Sequence, residues 1–263
     1  IDVLVAISRF WVQRASYSDI KEKYVILGVT GPNEYENNVN NNWYTNKFAS
    51  WCLSYTLSVC IELDKNNPDK YKEIKKRLNL DEKEIRYYGK VSENLYLPYD
   101  ETREIFLQQD GYLDKENITV ENLTQSDLPL NQNWSWDRIL RSPFIKQADV
   151  LQGMYIFENE YDEQIIKRHF DYYEPRTVHE SSLSPCVHSI IASKLGYTKK
   201  AYEMYLRTAR LDLDDYNNDT EDGCHTTSMS GSWMAIVFGF GGLRYNKTQL
   251  SFKPTIPEAW SLY

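Results

Sequence analysis

The sequence predicts a mainly α protein. Three observations carry that expectation. Apolar residues recur at helical spacing over most of the chain. Asn and Asp stand at helix-start positions, once with proline directly after. An alternating, strand-like pattern is confined to the tail, from about residue 244 onward.

Residues 1–15 read as one helix, with Leu4, Ile7, Phe10 and Trp11 on one face. The chain opens on Ile1 without an initiator Met, in what reads as mid-helix, so it is expected to begin inside a longer protein. Residues 43–63 form the longest helical pattern. Phe48, Trp51, Cys52, Tyr55 and Val59 share a face, and Leu53, Leu57 and Ile61 spread round the other side, which predicts an inner helix. Asn67-Pro68 reads as an N-cap with proline in the first turn. Asp81-x-x-Glu84 reads as a capping-box start. Residues 91–135 lack helical period and read as a long loop and excursion, either functional or a sign of structure the pattern misses. Helices are expected again over 144–157, 162–172, 183–194, 199–211 and 227–238. Glycine turns and a strand pattern follow.

Composition narrows the function. The net charge of -8 argues against general nucleic-acid binding, which wants a basic face. No apolar run reaches the roughly 18 residues of a membrane span, and no signal peptide opens the chain. Cys52, Cys60, Cys186 and Cys224 form no CxxC pair, which argues against a zinc site. Cys52 and Cys60 lie about 12 Å apart along a helix, too far for a disulfide. Reduced thiols in a cytoplasmic protein are the expectation.

Four polar clusters fall between the expected helices. The first is GVTGPNEYENNVNNNWYTN, residues 28–46, where Glu34 and Glu36 stand among seven asparagines, Tyr35, Trp43 and Tyr44. Amides bond hydroxyls, rings stack on sugar faces, and a carboxyl moves a proton, so a carbohydrate site with one working acid is expected. The alternative is a solvated loop capping the long helix. The second is RSPFIKQADVL, with Lys146 and Gln147 at an expected helix start. The dipole disfavours a lysine there, so a substrate hydroxyl or carboxylate would compensate, and the alternative, which this segment alone favours, is a plain surface lysine. The third, TVHESSLSPCVHS, offers Ser181 and Ser182 before a helix, an anion cradle or plain capping. The fourth, EDGCHTTSMSGSW, places His225 before a helix whose Ser230 and Gly231 admit close approach or tight packing. There is no GxSxG elbow and no P-loop. Asp212, Asp214, Asp215, Asn217 and Asp219 resemble a calcium loop, but Thr220 replaces the required glycine and the closing glutamate is absent.

These motifs, in this order and together with NWSWDRILRSPFIKQADVLQG, resemble the disaccharide phosphorylases of glycoside hydrolase family 65. The resemblance implies the second half of an (α/α)6 barrel over residues 1–243 and the start of a C-terminal β domain over 244–263. The N-terminal β-sandwich and early barrel helices of the family are not part of this sequence. The implied reaction is inverting phosphorolysis of an α-glucosyl disaccharide, with maltose favoured by the His-Glu-Ser-Ser form of the third motif. Kojibiose, nigerose or trehalose are alternative substrates, and a hydrolase or a non-catalytic carbohydrate-binding domain are alternative functions. Glu34 matches the general acid, with Glu36 as competitor, and its role requires a raised pKa. Lys146 and Gln147 match glucose-binding residues, and Ser181, Ser182, His225, Ser230 and Gly231 the phosphate pocket. Trp134 and Trp136 line the cleft or pack structurally. A hydrolase would need a base, for which Glu180 and Asp222 are candidates. The family implies a homodimer, phosphate as co-substrate, and no metal or organic cofactor.

Overall fold

The computed structural model describes residues 1–246 and 249–260, and the side chain of Asn246 is not described. The expected β segment at 247–248 and 261–263 therefore lies outside the described residues. The helices are α1 (Asp2–Arg14), α2 (Trp43–Asn66), α3 (Pro68–Leu78), α4 (Glu82–Glu93), α5 (Leu130–Asn133), α6 (Trp136–Arg141), α7 (Val150–Ile156), α8 (Glu163–Tyr173), α9 (Pro185–Lys194), α10 (Thr198–Ala209) and α11 (Thr226–Met234). They divide into two units. One comprises Ile1–Gly31, Asn38–Tyr99 and Phe106–Asp110, and the other Pro32–Asn37, Asp100–Ile105 and Gly111–Tyr263.

In the first unit local chemistry sets the helix starts. The Asn67 side chain accepts from Lys70 N at 3.2 Å, and Pro68 occupies the first turn, where its missing N–H costs nothing. Asp81 accepts from Glu84 N at 2.7 Å. Only this half of the expected box forms, because the Glu84 carboxylate takes Arg9 at 2.6 Å and the Tyr88 hydroxyl at 2.5 Å. The faces of α1 and α2 differ from expectation. α2 buries a single stripe of Trp43, Asn46, Ala49, Leu53, Thr56 and Cys60. Trp51 and Tyr55 stack on each other on its exposed side, 5.1 Å apart. α1 buries Val5 and Ser8, while Ile7 and Phe10 face out. The reason is a polar pairing invisible to apolar periodicity, in which Ser8 Oγ donates to Thr56 Oγ1 at 2.9 Å. The core collects Val5, Ile26, Leu53, Tyr88 and Val91 about this stripe.

The second unit is organised around α9. Every residue from Pro185 to Ser193 is buried, as expected of a helix packed on all sides. Its neighbours are α10, α11, α7 and α8. Gly231 permits the α11 approach, since a Cβ there would lie 2.9 Å from Cys186 Cβ and 3.1 Å from Thr208 Cγ2. The helix expected over 144–157 shortens to α7. Residues 144–149 are irregular because their backbone bonds elsewhere: Ile145 N to Arg176 O and Val178 N to Ile145 O, both at 2.9 Å. α11 continues into a π turn, Ala235–Phe240. The tail forms an antiparallel hairpin of Leu243–Asn246 with Gln249–Phe252, and Gly242, at φ +60°, meets the Lys253 carbonyl where no Cβ would fit. The cysteines are free thiols, with Cys224 exposed. Among the described residues no helix is long and apolar enough to cross a membrane.

Candidate active site

Of the asparagines of residues 28–46, Asn33, Asn41, Asn42 and Asn46 are buried in structural roles, while Asn37, Asn38 and Asn40 are exposed. Asn42 caps α2, accepting from Thr45 N at 2.9 Å, and donates to Gln108 O at 3.1 Å. Asn41 accepts from Ile26 N at 3.1 Å and donates to Asp110 at 2.7 Å. Asn46 donates to Tyr96 O at 2.7 Å. Trp43 is wholly buried. Buried amides are committed to backbone groups that would otherwise go unpaired.

Within Pro32–Asn37 the side chains sort themselves. Asn33, fully buried, donates its N–H to Asp149 at 3.2 Å, and its Oδ1 accepts from Tyr35 N at 3.1 Å and Lys146 N at 2.9 Å. It ties this turn to the irregular segment before α7. Glu34 is thereby set against Lys146, Nζ to Oε2 at 2.5 Å, with its side chain 55% exposed. Lys146 and Gln147 thus lie before the helix rather than on its first turn, so no dipole penalty arises. Glu36 is 5% exposed and paired with Lys115, which also donates to Leu140 O at 2.6 Å and Ser142 O at 3.0 Å. The two glutamates that the sequence leaves in competition are separated by burial: Glu36 holds the loop and Glu34 faces outward.

Glu180 is the third carboxyl here, and both its oxygens are engaged. Leu130 N donates to one at 2.8 Å and the buried Tyr35 hydroxyl to the other. Burial raises its pKa, opposed by these donors and by the charges of Arg207 and Lys146. Burial and the Glu180 contact push Tyr35 well above its ordinary value. Trp136, 54% exposed, stands edge-on to Tyr35 at 6.1 Å and offers a free ring beside the Glu34 turn. Trp134 instead packs: its indole donates to Asp127 at 2.8 Å, and the Arg138 guanidinium covers it at 3.5 Å.

His225 caps α11 and is gripped by the acidic run that resembles a calcium loop. Asp212 accepts from its Nδ1 at 2.6 Å and from its backbone N at 3.0 Å, and Asp219 lies 3.5 Å from Nε2. The Asp212 hydrogen bond, then the charges of Asp219, Asp212 and Asp222, raise the imidazole pKa, which favours the cation. The remaining acids are occupied too: Asp214 pairs with Arg210, and Asp215 accepts from Asp219 N and Thr220 N. Ser181 and Ser182 are half-buried in the turn between Glu180 and α9. Behind that turn Arg207 donates to Val178 O at 2.9 Å and His179 O at 3.2 Å. Ser230 is exposed and bonds its own helix at 3.4 Å, and Gly231 is the packing contact with α9 described above.

A cavity of about 370 Å³ gathers Lys146, Glu180, Asn131, Asn217, Asp219 and Asp222 on its walls. It joins the second, third and fourth sequence clusters, through Lys146, Glu180 and the Asp219 partner of His225. The side-chain amide of Asn217 and the Gln147 Oε1 are buried without a hydrogen-bond partner among the described residues. Asn33, Asp212, Asp219 and Arg207 escaped sequence reasoning as site residues. Only a short polar residue beside Glu34, and acids thirteen and six positions before His225, could have marked the first three.

A helical framework with a polar cavity walled by amides, carboxylates and Lys146, the lysine paired with the outward Glu34 and the wall's Asp219 beside a cation-favouring histidine, has the character of a carbohydrate-active catalytic domain. The model of the glycosyl hydrolase family 65 central catalytic domain matches residues 1–234, and the chain belongs to that family. It is 54% identical over its whole length to the maltose phosphorylase of Bacillus subtilis (strain 168), and 42% identical over 99% of its length to the α,α-trehalose phosphorylase of Thermoanaerobacter brockii. The kojibiose phosphorylase of Caldanaerobacter subterraneus subsp. tengcongensis is 34% identical over 98% of the chain. A solved structure assigned as a kojibiose phosphorylase from the human microbiome superposes with a TM-score of 0.89 at 38% identity, covering 98% of this chain and 36% of that one. The chain spans about a third of the length of each of these relatives. It is mainly α, of the (α/α)6-barrel class to which the family's catalytic domains belong.

Proposed function

We propose that the chain is the later part of the catalytic domain of an inverting disaccharide phosphorylase acting on maltose, with residues 1–243 in the helical domain and 244–263 opening a β domain. The observation that carries this reading is the division of labour among the three motif glutamates. Glu36 is held by Lys115 and Glu180 by Tyr35 and Leu130, which leaves Glu34 as the outward acid. An inverting hydrolase needs two carboxyl groups about 6.5–9.5 Å apart, one of them to activate water. Phosphate is already an anionic nucleophile and needs only the acid.

In this reading a phosphate oxygen bonds to C1 of the glucosyl unit as the C1–O bond to the second glucose breaks. Glu34 passes its proton to the leaving oxygen, giving β-glucose 1-phosphate and glucose. Lys146 exchanges its contact with Glu34 for sugar hydroxyls, which frees the carboxyl to carry that proton, and Gln147 adds an amide. Ser181, Ser182 and the His225 imidazolium hold the phosphate, Ser230 and Gly231 forming the more distant wall. An acidic chain can hold an anion this way because hydroxyls, helix N-termini and one histidine act locally. The reading calls for no cofactor. The 54% identity to a maltose phosphorylase supports maltose over kojibiose, nigerose or trehalose.

A hydrolase is the second reading, favoured by Asp222, exposed on the same cavity wall as Lys146. Substitution separates the roles. In the full-length protein Glu34→Gln should lower phosphorolysis by about 10²–10⁴-fold, the usual contribution of a positioned acid, while maltose binding persists. Retained turnover in Glu34→Gln would remove the residue from the acid role.

A further inference from the structure

Below the turn that carries Glu180, Ser181 and Ser182 lies a second group of potential ligands outside the candidate active site. Glu174, His179 and His188 each offer a ligand atom, and these atoms all lie within 4.8 Å of one another. They come from three places: the 3-10 turn after α8, the turn before α9, and α9 itself. His179 and His188 are 3% and 0% exposed. Their rings stand edge to face, 4.4 Å apart. His179 Nε2 and both ring nitrogens of His188 are buried without a hydrogen-bond partner among the described residues. Three orphaned imidazole nitrogens in one buried spot are expensive to leave unpaired. His179 also sits at φ +58°, a conformation that costs a non-glycine residue energy.

We propose that Glu174, His179 and His188 form a site for a divalent transition-metal ion, with Zn²⁺ as the fitting case, that fastens the Glu180–Ser182 turn to α9. Two imidazoles and one carboxylate with a fourth position for water are a common zinc donor set. Such ligand atoms sit about 3.3 Å apart around zinc, so the trio closes by up to about 1.5 Å on binding. The His179 ring is already oriented. Its Nδ1 lies 2.8 Å from Ser184 Oγ, and in the tautomer an ion requires, Nδ1–H donates to that hydroxyl and Nε2 carries the lone pair. Ser184 Oγ is itself fixed by Ala148 N at 3.3 Å. One neighbour competes. Lys200 Nζ lies 2.9 Å from Glu174 and 3.7 Å from Glu203, and its side chain is 37% exposed. Ion binding turns Lys200 from the first carboxylate to the second.

The competition supplies a test of two signs. The full-length protein, stripped with a chelator, is titrated with Zn²⁺ by calorimetry and with Co²⁺ by visible absorption. We expect one equivalent of Zn²⁺ to bind, with the intense bands of low-coordinate Co²⁺. Glu174→Gln and His188→Gln should each weaken Zn²⁺ by more than about 10–100-fold, the loss typical of removing a partner one shell further out. Lys200→Met should tighten it. A variant that merely unfolds cannot bind more tightly, so the opposed signs survive a fold failure in either ligand variant. His225→Ala should retain the equivalent, since the Asp212–His225 cluster is a different one. Absence of stoichiometric binding, or binding undiminished in Glu174→Gln and His188→Gln, would overturn the site and leave the three side chains to share a buried water.

Discussion

At the residue scale, exposure decides roles that residue type cannot. Glu34 and Glu36 are two positions apart and chemically near-equivalent, yet one is exposed beside Lys146 and the other buried on Lys115. Glu36→Gln should therefore act through stability: it leaves the buried Lys115 ammonium without a counter-charge, held by the Leu140 and Ser142 carbonyls, a loss of up to about 3–5 kcal/mol, read by denaturant unfolding. His225 makes the pH argument. Its folded pKa is raised, chiefly by Asp212. The His225–Asp212 contact thus stabilises fully below the ordinary histidine value and is lost as pH rises through the folded one. In the proposed function phosphate binding would follow the same sign, so the KM for phosphate should climb as pH passes that point. His225→Ala should raise the phosphate KM by about 10–100-fold, the worth of a charged hydrogen bond, raise the maltose KM less, and flatten the climb. An unchanged phosphate KM in His225→Ala would take the residue out of the pocket. The sequence marked His225 as a candidate, but the aspartates that tune it looked like a failed calcium loop. Its partners are brought to it by folding, not by spacing.

At the element scale, helix existence was legible and helix facing was not. The starts of α3 and α4 follow from Asn67-Pro68 and Asp81 because capping is local chemistry. The buried stripe of α2 was hidden because it includes Asn46 and Thr56, polar groups whose partners include the sequence-distant Tyr96 and Ser8. The helix expected from 144 failed for a similar reason, since the backbone at 145–146 bonds to Asn33, Arg176 and Val178. The same irregular segment is what places Lys146 opposite Glu34. Packing predictions belong here. Leu53 is fully buried on α2, and Leu53→Ala should cost about 2–5 kcal/mol in unfolding free energy. Gly231→Val should cost at least about 1–3 kcal/mol by overpacking against Cys186 and Thr208. If Gly231→Val left stability unchanged, the α11–α9 contact would be looser than the structure has it.

At the scale of the whole molecule, the long ordered motifs carried the family resemblance, and the match over residues 1–234 makes the chain a member of family 65. Which disaccharide the proposed enzyme takes was marked in the sequence only by the His-Glu-Ser-Ser form of the third motif, and the relatives include maltose, trehalose and kojibiose phosphorylases at 54%, 42% and 34% identity. The distinction between phosphorolysis and hydrolysis is sharper, since it turns on whether a protein carboxylate or phosphate supplies the nucleophile. The most direct test is to incubate the full-length protein with maltose, with and without inorganic phosphate, and to assay β-glucose 1-phosphate and free glucose. The proposed chemistry predicts equal amounts of the two products with phosphate and neither without it. Glucose released at the same rate in the absence of phosphate would contradict it and turn attention to Asp222 as a water-activating base.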